Sequence, residues 1–170
     1  MSTTRSDTRS REIEVIDNVA SAVRNYYVET GLLNEDLSDF GVVTIEKMFD
    51  NIGGLINKPS IKVKFVEFGD SEYKLEEQST TCGRFTRGKH FLQKVGEDEF
   101  IVSYSKESSK EEICYRAMHE LGHFVLHWNK MDMGSMKIGK RFYCNDVSIL
   151  ENDAWDFAHL FVDSLNTKNT

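Results

Sequence analysis

The 170 residues, 39% of them hydrophobic, suffice for one globular domain with its own core. A formal net charge of -7 would repel a phosphate backbone, so no direct nucleic-acid partner is expected. No apolar run approaches the roughly 20 residues that cross a bilayer, and MSTTRSDTRSRE at the start has no signal-peptide core. No membrane association and a cytoplasmic location are therefore expected.

Residues 1–9 are polar and aperiodic and read as a flexible tail; residues 10–170 are expected to form a single domain. From Ser10 to Thr30, Ile13, Ile16, Ala20, Val23 and Tyr27 recur at helical spacing, and Gly31 follows as a stop. A second helix is predicted from Thr44, carrying Ile45, Met48, Phe49 and Ile52 inward and loosening at Gly53 and Gly54. After Pro59 the pattern changes: between 61 and 68, Ile61, Val63 and Phe65 alternate with Lys62 and Lys64, as in a half-buried strand. Further short strands are predicted over 80–86, 90–95 and 99–104, divided by Gly83, Gly88 and Gly96. The expected fold class is α+β: a small twisted, largely antiparallel sheet packed with helices. Cys82, Cys114 and Cys144, odd in number and irregularly spaced, fit reduced thiols better than a disulfide framework.

The chemistry is concentrated in SSKEEICYRAMHELGHFVLHW, which opens with Ser108 or Ser109 followed three residues later by Glu111 or Glu112, a capping-box signature. A helix over 109–128 is predicted. On a helical wheel centred on His119, Ile113, Cys114, Ala117, Met118, Leu121, Phe124, Val125 and Trp128 fall between roughly 120° and 260° and form the core face. His119, His123, Tyr115, Arg116 and Glu112 cluster opposite, so the two histidines are expected to look out from a polar face. Imidazoles four residues apart are neighbours whose nitrogens can share one zinc ion. Glu120, about 100° around the helix, suits a general base that reaches a metal-bound water. The pattern is His-Glu-x-x-His; the bland alternative is a pair of solvated histidines on a polar helix face. Gly122 inside the motif costs about 1 kcal/mol of helix propensity, which a close backbone approach would explain.

A catalytic zinc commonly has three protein ligands. The elongated metzincin pattern fails, because Leu126 and Asn129 stand where Gly and His are needed. His127 is about 12 Å from His119 along the axis, too far to share its ion. A last helix is predicted over 148–166, with Leu150, Ala154, Phe157, Ala158, Phe161 and Leu165 as its apolar stripe. Glu151 lies at the edge of that stripe, whereas Asp153, Asp156 and Asp163 point away, and a carboxylate drawn toward the core needs a cationic partner. Ser148, three residues earlier, makes a capping box that accounts for a glutamate there without any metal. Asp146, Asp153, Cys82 and Cys144 are weaker substitutes, and His159 is expected on the outer surface.

FIVSY (100–104), HELGHFVLH (119–127) and ENDAWDFAHL (151–160) together resemble the ImmA/IrrE family of metallopeptidases. The resemblance covers roughly the C-terminal half. It implies a zincin-like metallopeptidase domain with Zn2+ held by His119, His123 and Glu151 and with Glu120 as catalytic base. It also implies a regulatory endopeptidase with a narrow protein substrate, such as a helix-turn-helix repressor. The chain departs from the family after Ala158, where HLFVDSL replaces the frequent Leu-Leu-Met-Pro stretch. Neither a sensor domain nor a helix-turn-helix module is expected, so target choice falls to this domain or to a separate partner. A sheet edge near 80–95 is the expected cradle for an extended substrate. Tyr115, Arg116, His90 and Tyr143 are unranked candidates for stabilising an oxyanion. The competing readings are a non-catalytic zinc-stabilised interaction module and the toxin component of a two-gene system.

Overall fold

Apolar periodicity in the first half of the chain becomes a set of helices closing over a small sheet. A computed structural model describes residues 5–34, 40–67, 91–105, 108–127 and 148–168. In chain order the elements are α1 (Arg5–Glu29), α2 (Val42–Asp50), α3 (Ile52–Leu55), β1 (Lys62–Glu67), β2 (Phe91–Gly96), β3 (Glu99–Tyr104), α4 (Lys110–His127) and α5 (Ser148–Lys168). The class is α+β, as expected.

α1 starts at Arg5, five residues before the predicted Ser10, so part of the supposed tail is helical. Residues 5–9 contain neither Gly nor Pro, and extending a helix already nucleated by buried residues is far easier than starting one. Ile16, Ala20, Val23 and Tyr27 are buried as the spacing predicts, whereas Ile13 stays 38% exposed. The helix ends in a Schellman motif: the Leu32 N–H donates to the Tyr27 carbonyl at 2.9 Å and the Gly31 N–H to the Val28 carbonyl at 3.0 Å. That closure needs a left-handed residue, and Gly31 supplies it at φ 80°.

α2 begins two residues ahead of Thr44, capped by Gly41, whose carbonyl accepts the Ile45 N–H at 2.9 Å. Its inward residues Ile45, Met48 and Phe49, with Ile52 of α3, are completely buried. The Tyr27 hydroxyl donates to the Met48 carbonyl at 2.8 Å, tying α1 to α2, and burial drives that phenol's pKa far above its ordinary value.

The sheet corrects one expectation. Its order is β1-β3-β2; β2 and β3 form an antiparallel hairpin, but β1 runs parallel to β3, from Lys62 opposite Glu99 to Glu67 opposite Tyr104. It is mixed, not largely antiparallel. β3 buries Phe100, Ile101, Val102 and Ser103 in succession, the signature of a central strand. Its hairpin partner takes one edge, so β1 pairs on the other, and side-chain alternation carries no information on direction. The strand predicted over 80–86 lies outside the described residues.

α4 packs between the sheet with α2 on one side and α5 on the other, and α1 packs against α5. Phe124 joins the layers, meeting Phe100 edge-on at 5.5 Å and Phe49 at 6.5 Å. Phe49 in turn stacks on Phe65 at 5.7 Å, and Phe65 on Tyr104 at 4.6 Å. Buried residues of all these elements form one hydrophobic cluster. No described helix is long and apolar enough to cross a membrane.

A methyl group at residue 31 would meet nothing within 4 Å, so Gly31→Ala isolates the conformational cost of the left-handed stop. Urea unfolding is expected to show a loss of about 1–2 kcal/mol, and a smaller one for Gly31→Asn, since Asn tolerates that conformation.

Candidate metal centre

α4 is launched by a single cap. The Ser109 hydroxyl accepts the Glu112 N–H at 3.1 Å and the Ser109 carbonyl accepts the Ile113 N–H at 3.0 Å, so the cap is Ser109 and not Ser108. Two and a half turns on, the wheel's prediction fails on one side. Ile113, Cys114, Ala117, Met118, Leu121 and Phe124 are buried as expected, but His119 and His123 do not look out to solvent. His123 is 0% exposed, His119 4% and Glu120 8%, and every residue from Ala117 to Phe124 is buried.

The cause is α5, which lies on the histidine side of α4. At Gly122 the helices nearly touch: a Cβ there would sit 3.1 Å from Phe157 Cδ1 and 3.3 Å from both Cα and the carbonyl oxygen of Ala154. The close approach that would account for a glycine inside the motif is therefore present. Ala154, Phe157, Ala158 and Phe161 form the buried stripe of α5, as their spacing predicts.

Within this seam the motif residues converge. The His119 and His123 rings meet edge-on with centroids 4.7 Å apart, and His119 Nδ1 lies 3.4 Å from Glu120 Oε1. One nitrogen of each histidine and one oxygen of Glu120 all fall within 4.8 Å of one another, a donor set able to hold a metal ion. The Glu120 carboxylate thus comes closer to the imidazoles than the wheel requires, because its three rotatable bonds let it fold back along the helix.

The donor chemistry fits a divalent cation. Glu120 Oε2 is buried without a hydrogen-bond partner among the described residues, and leaving such an atom unsatisfied costs about 1–3 kcal/mol, more if it is charged. The Nε2 atom of His123 is likewise buried with no hydrogen bond, while the ring itself is held in its contact with His119. Imidazole and carboxylate together suit zinc and its neighbours in the first transition series.

Around this centre the predicted accessory residues separate. The Tyr115 hydroxyl donates to Asp163 Oδ1 at 2.6 Å, which together with burial and the charge of Asp163 pushes the phenol up to about 12. Its proton is committed to α5. Arg116 is half-buried; desolvation lowers its guanidinium pKa, while the charges of Glu112 and Glu120 oppose that fall, so a cation stands near the carboxylate. Cys114 is a buried thiol raised to about 11, mainly by desolvation, and is no ready ligand. His159 is exposed, as predicted, and Asp153 is half-buried on α5. The backbone of Glu151 belongs to the first turn of α5, but its side chain, like that of His127, is outside those described. His90, Tyr143, Asp146, Cys82 and Cys144 also lie outside the described residues.

Trp155 is the residue that sequence reasoning missed. Its indole stacks on His119 with centroids 4.2 Å apart and planes 9° from parallel. On the α5 wheel it sits about 100° from Ala154, just off the apolar stripe, and only its placement one turn after Glu151 could have drawn it into the site.

Comparison with protein-family models, with curated proteins and with solved structures finds no match to this chain. The site's chemistry therefore rests on its own residues.

Two outcomes test this geometry. Gly122→Ala is expected to destabilise the protein by roughly 1–3 kcal/mol through overpacking, despite the gain of about 1 kcal/mol in helix propensity; chemical denaturation measures the difference. The Tyr115 phenol is raised from 10.0 to about 12, so its contribution to stability is complete below pH 10 and is lost as pH rises toward 12. Tyr115→Phe removes that contribution, so between pH 10 and 12 its unfolding midpoint is expected to fall less than that of the native chain.

Proposed function

We propose that this chain is a zinc-dependent endopeptidase that cleaves a specific protein. The observation that carries the reading is the buried convergence of His119, Glu120 and His123 on one turn of α4. His119 and His123 would hold the ion. Glu151 is the proposed third ligand: it precedes Trp155 by four residues, hence lies one turn away on the same face of α5, and Trp155 is the residue stacked on His119. When bound, zinc supplies a Lewis acid and brings the pKa of a bound water toward neutrality.

The chain's own groups do the rest. Glu120 accepts the proton of an attacking water on its carboxylate and returns it to the leaving amine, a role that suits an oxygen with no hydrogen-bond partner among the described residues. Arg116, on the same helix, keeps a positive charge near the Glu120 carboxylate. An extended substrate is offered β2, which lies at one edge of the described sheet and can take an added strand by main-chain hydrogen bonds. A net charge of -7 complements a basic target such as a DNA-binding repressor, the substrate class that the family resemblance implies.

Full burial of His123 and the indole over His119 favour one second reading, a non-catalytic module with a closed structural metal. The two part at Glu120. Metal analysis is expected to find one zinc per native chain and none in His119→Ala or His123→Ala. Glu120→Gln is expected to retain the metal while cleavage of candidate repressors falls by about 10²–10⁴-fold. Cleavage undiminished in Glu120→Gln would remove the proposed base, and native protein that takes up no divalent ion would end both readings.

A further inference from the structure

We propose that Trp155 is a positioning residue of the metal site, setting the plane of the His119 imidazole from across the helix seam. The inference rests on the metal-site reading above and deepens it.

The lone pair of an imidazole nitrogen lies in the plane of its ring. A histidine directs its ligand bond correctly only when that plane passes through the ion, so a ring free to swing about its Cβ–Cγ bond is a poor ligand. At 4.2 Å and 9° the indole face lies flat against His119, closer than the stacked pair Phe65 and Tyr104 at 4.6 Å in the core. Flat stacking opposes that swing, because rotating the imidazole drives its edge into the indole. The contact between His119 Nδ1 and Glu120 Oε1, at 3.4 Å, constrains a different coordinate, the direction of one nitrogen within the plane. A metal-bound histidine is usually oriented by a carboxylate or a carbonyl on its second nitrogen. Here an aromatic face on another helix supplies orientation as well.

The indole is itself held. His159 lies one turn further along α5, its ring 6.3 Å from Trp155 and 5.0 Å from Tyr115 on α4. One turn beyond that, Asp163 accepts the Tyr115 hydroxyl at 2.6 Å. Trp155, His159 and Asp163, spaced four residues apart, thus meet Tyr115 and His119, also four apart, and fix the sliding register of α5 on α4. The close approach at Gly122 brings the helices near enough for this rib to engage. The orientation of His119 is in this way coupled to helix docking at the outer end of the seam.

The test uses the full chain, with zinc affinity measured by competition with a chromophoric chelator and ligand geometry read from the visible bands of the cobalt-substituted protein. Trp155→Phe keeps a flat ring and is expected to bind zinc within about threefold of the native chain, with unchanged cobalt bands. Trp155→Leu keeps apolar bulk without a flat face and is expected to bind about 10–100-fold more weakly, with shifted bands. Loss of affinity in Trp155→Leu and its rescue in Trp155→Phe establish positioning, since simple loss of packing would not move the cobalt spectrum. If Trp155→Leu binds as tightly as the native chain with the same bands, Trp155 does not position His119 and the metal-site reading is untouched. If the native chain binds neither zinc nor cobalt, the metal-site reading falls, and this inference with it.

Discussion

Everything around the candidate centre depends on how near α5 can come to α4. The tightest point is Gly122, where a Cβ would lie only 3.1 Å from Phe157 Cδ1 and 3.3 Å from the backbone of Ala154. That approach converts what the wheel describes as a polar helix face into an interior seam. It buries His123 completely, sets an indole flat on His119 and leaves a carboxylate oxygen of Glu120 buried without a hydrogen-bond partner among the described residues. At the low effective dielectric of a buried site the attraction between a carboxylate and a cation is stronger than in water, set against the cost of desolvating both.

Placing the site inside the core also links metal and fold. The histidines share their buried helix with Met118, Leu121 and Phe124, and Phe124 reaches both the sheet and α2. Any free energy of metal binding would therefore appear as stability of the whole α4–α5 seam, in the way that a ligand specific for the folded state always stabilises it. The outer contacts of that seam, Tyr115 with Asp163 and with His159, are partly solvated and individually modest, and they act by register more than by energy.

How much of this was legible follows from what periodicity encodes. Burial of Ile113, Cys114, Ala117, Met118, Leu121 and Phe124 was readable because one face of an amphipathic helix must leave water. Burial of His119 and His123 was not, because a wheel treats the opposite face as solvated and cannot see a second helix arriving on it. Gly122 was the exception: a residue that disfavours helix, at the centre of a strong helix, already signalled close approach. The parallel pairing of β1 with β3 was hidden for a similar reason, since alternation over Lys62–Glu67 reports which face is buried and nothing about the neighbour's direction. Trp155 escaped notice because a large aromatic at the margin of a stripe looks like additional core, and its partner lies some 36 residues earlier on another helix.

The unsatisfied carboxylate oxygen of Glu120 sets the energetic cost of this arrangement. A domain of this size has a net stability of about 5–15 kcal/mol, and a buried polar atom with no partner consumes about 1–3 of that, more if it is ionised. An apolar residue at position 120 would carry no such penalty. Arg116 lies near this carboxylate and His119 Nδ1 is 3.4 Å from its Oε1, yet Oε2 has no hydrogen-bond partner among the described residues. The fold thus gives up stability at the point where three groups able to hold a metal ion converge, a local conflict that burial of apolar side chains alone does not account for.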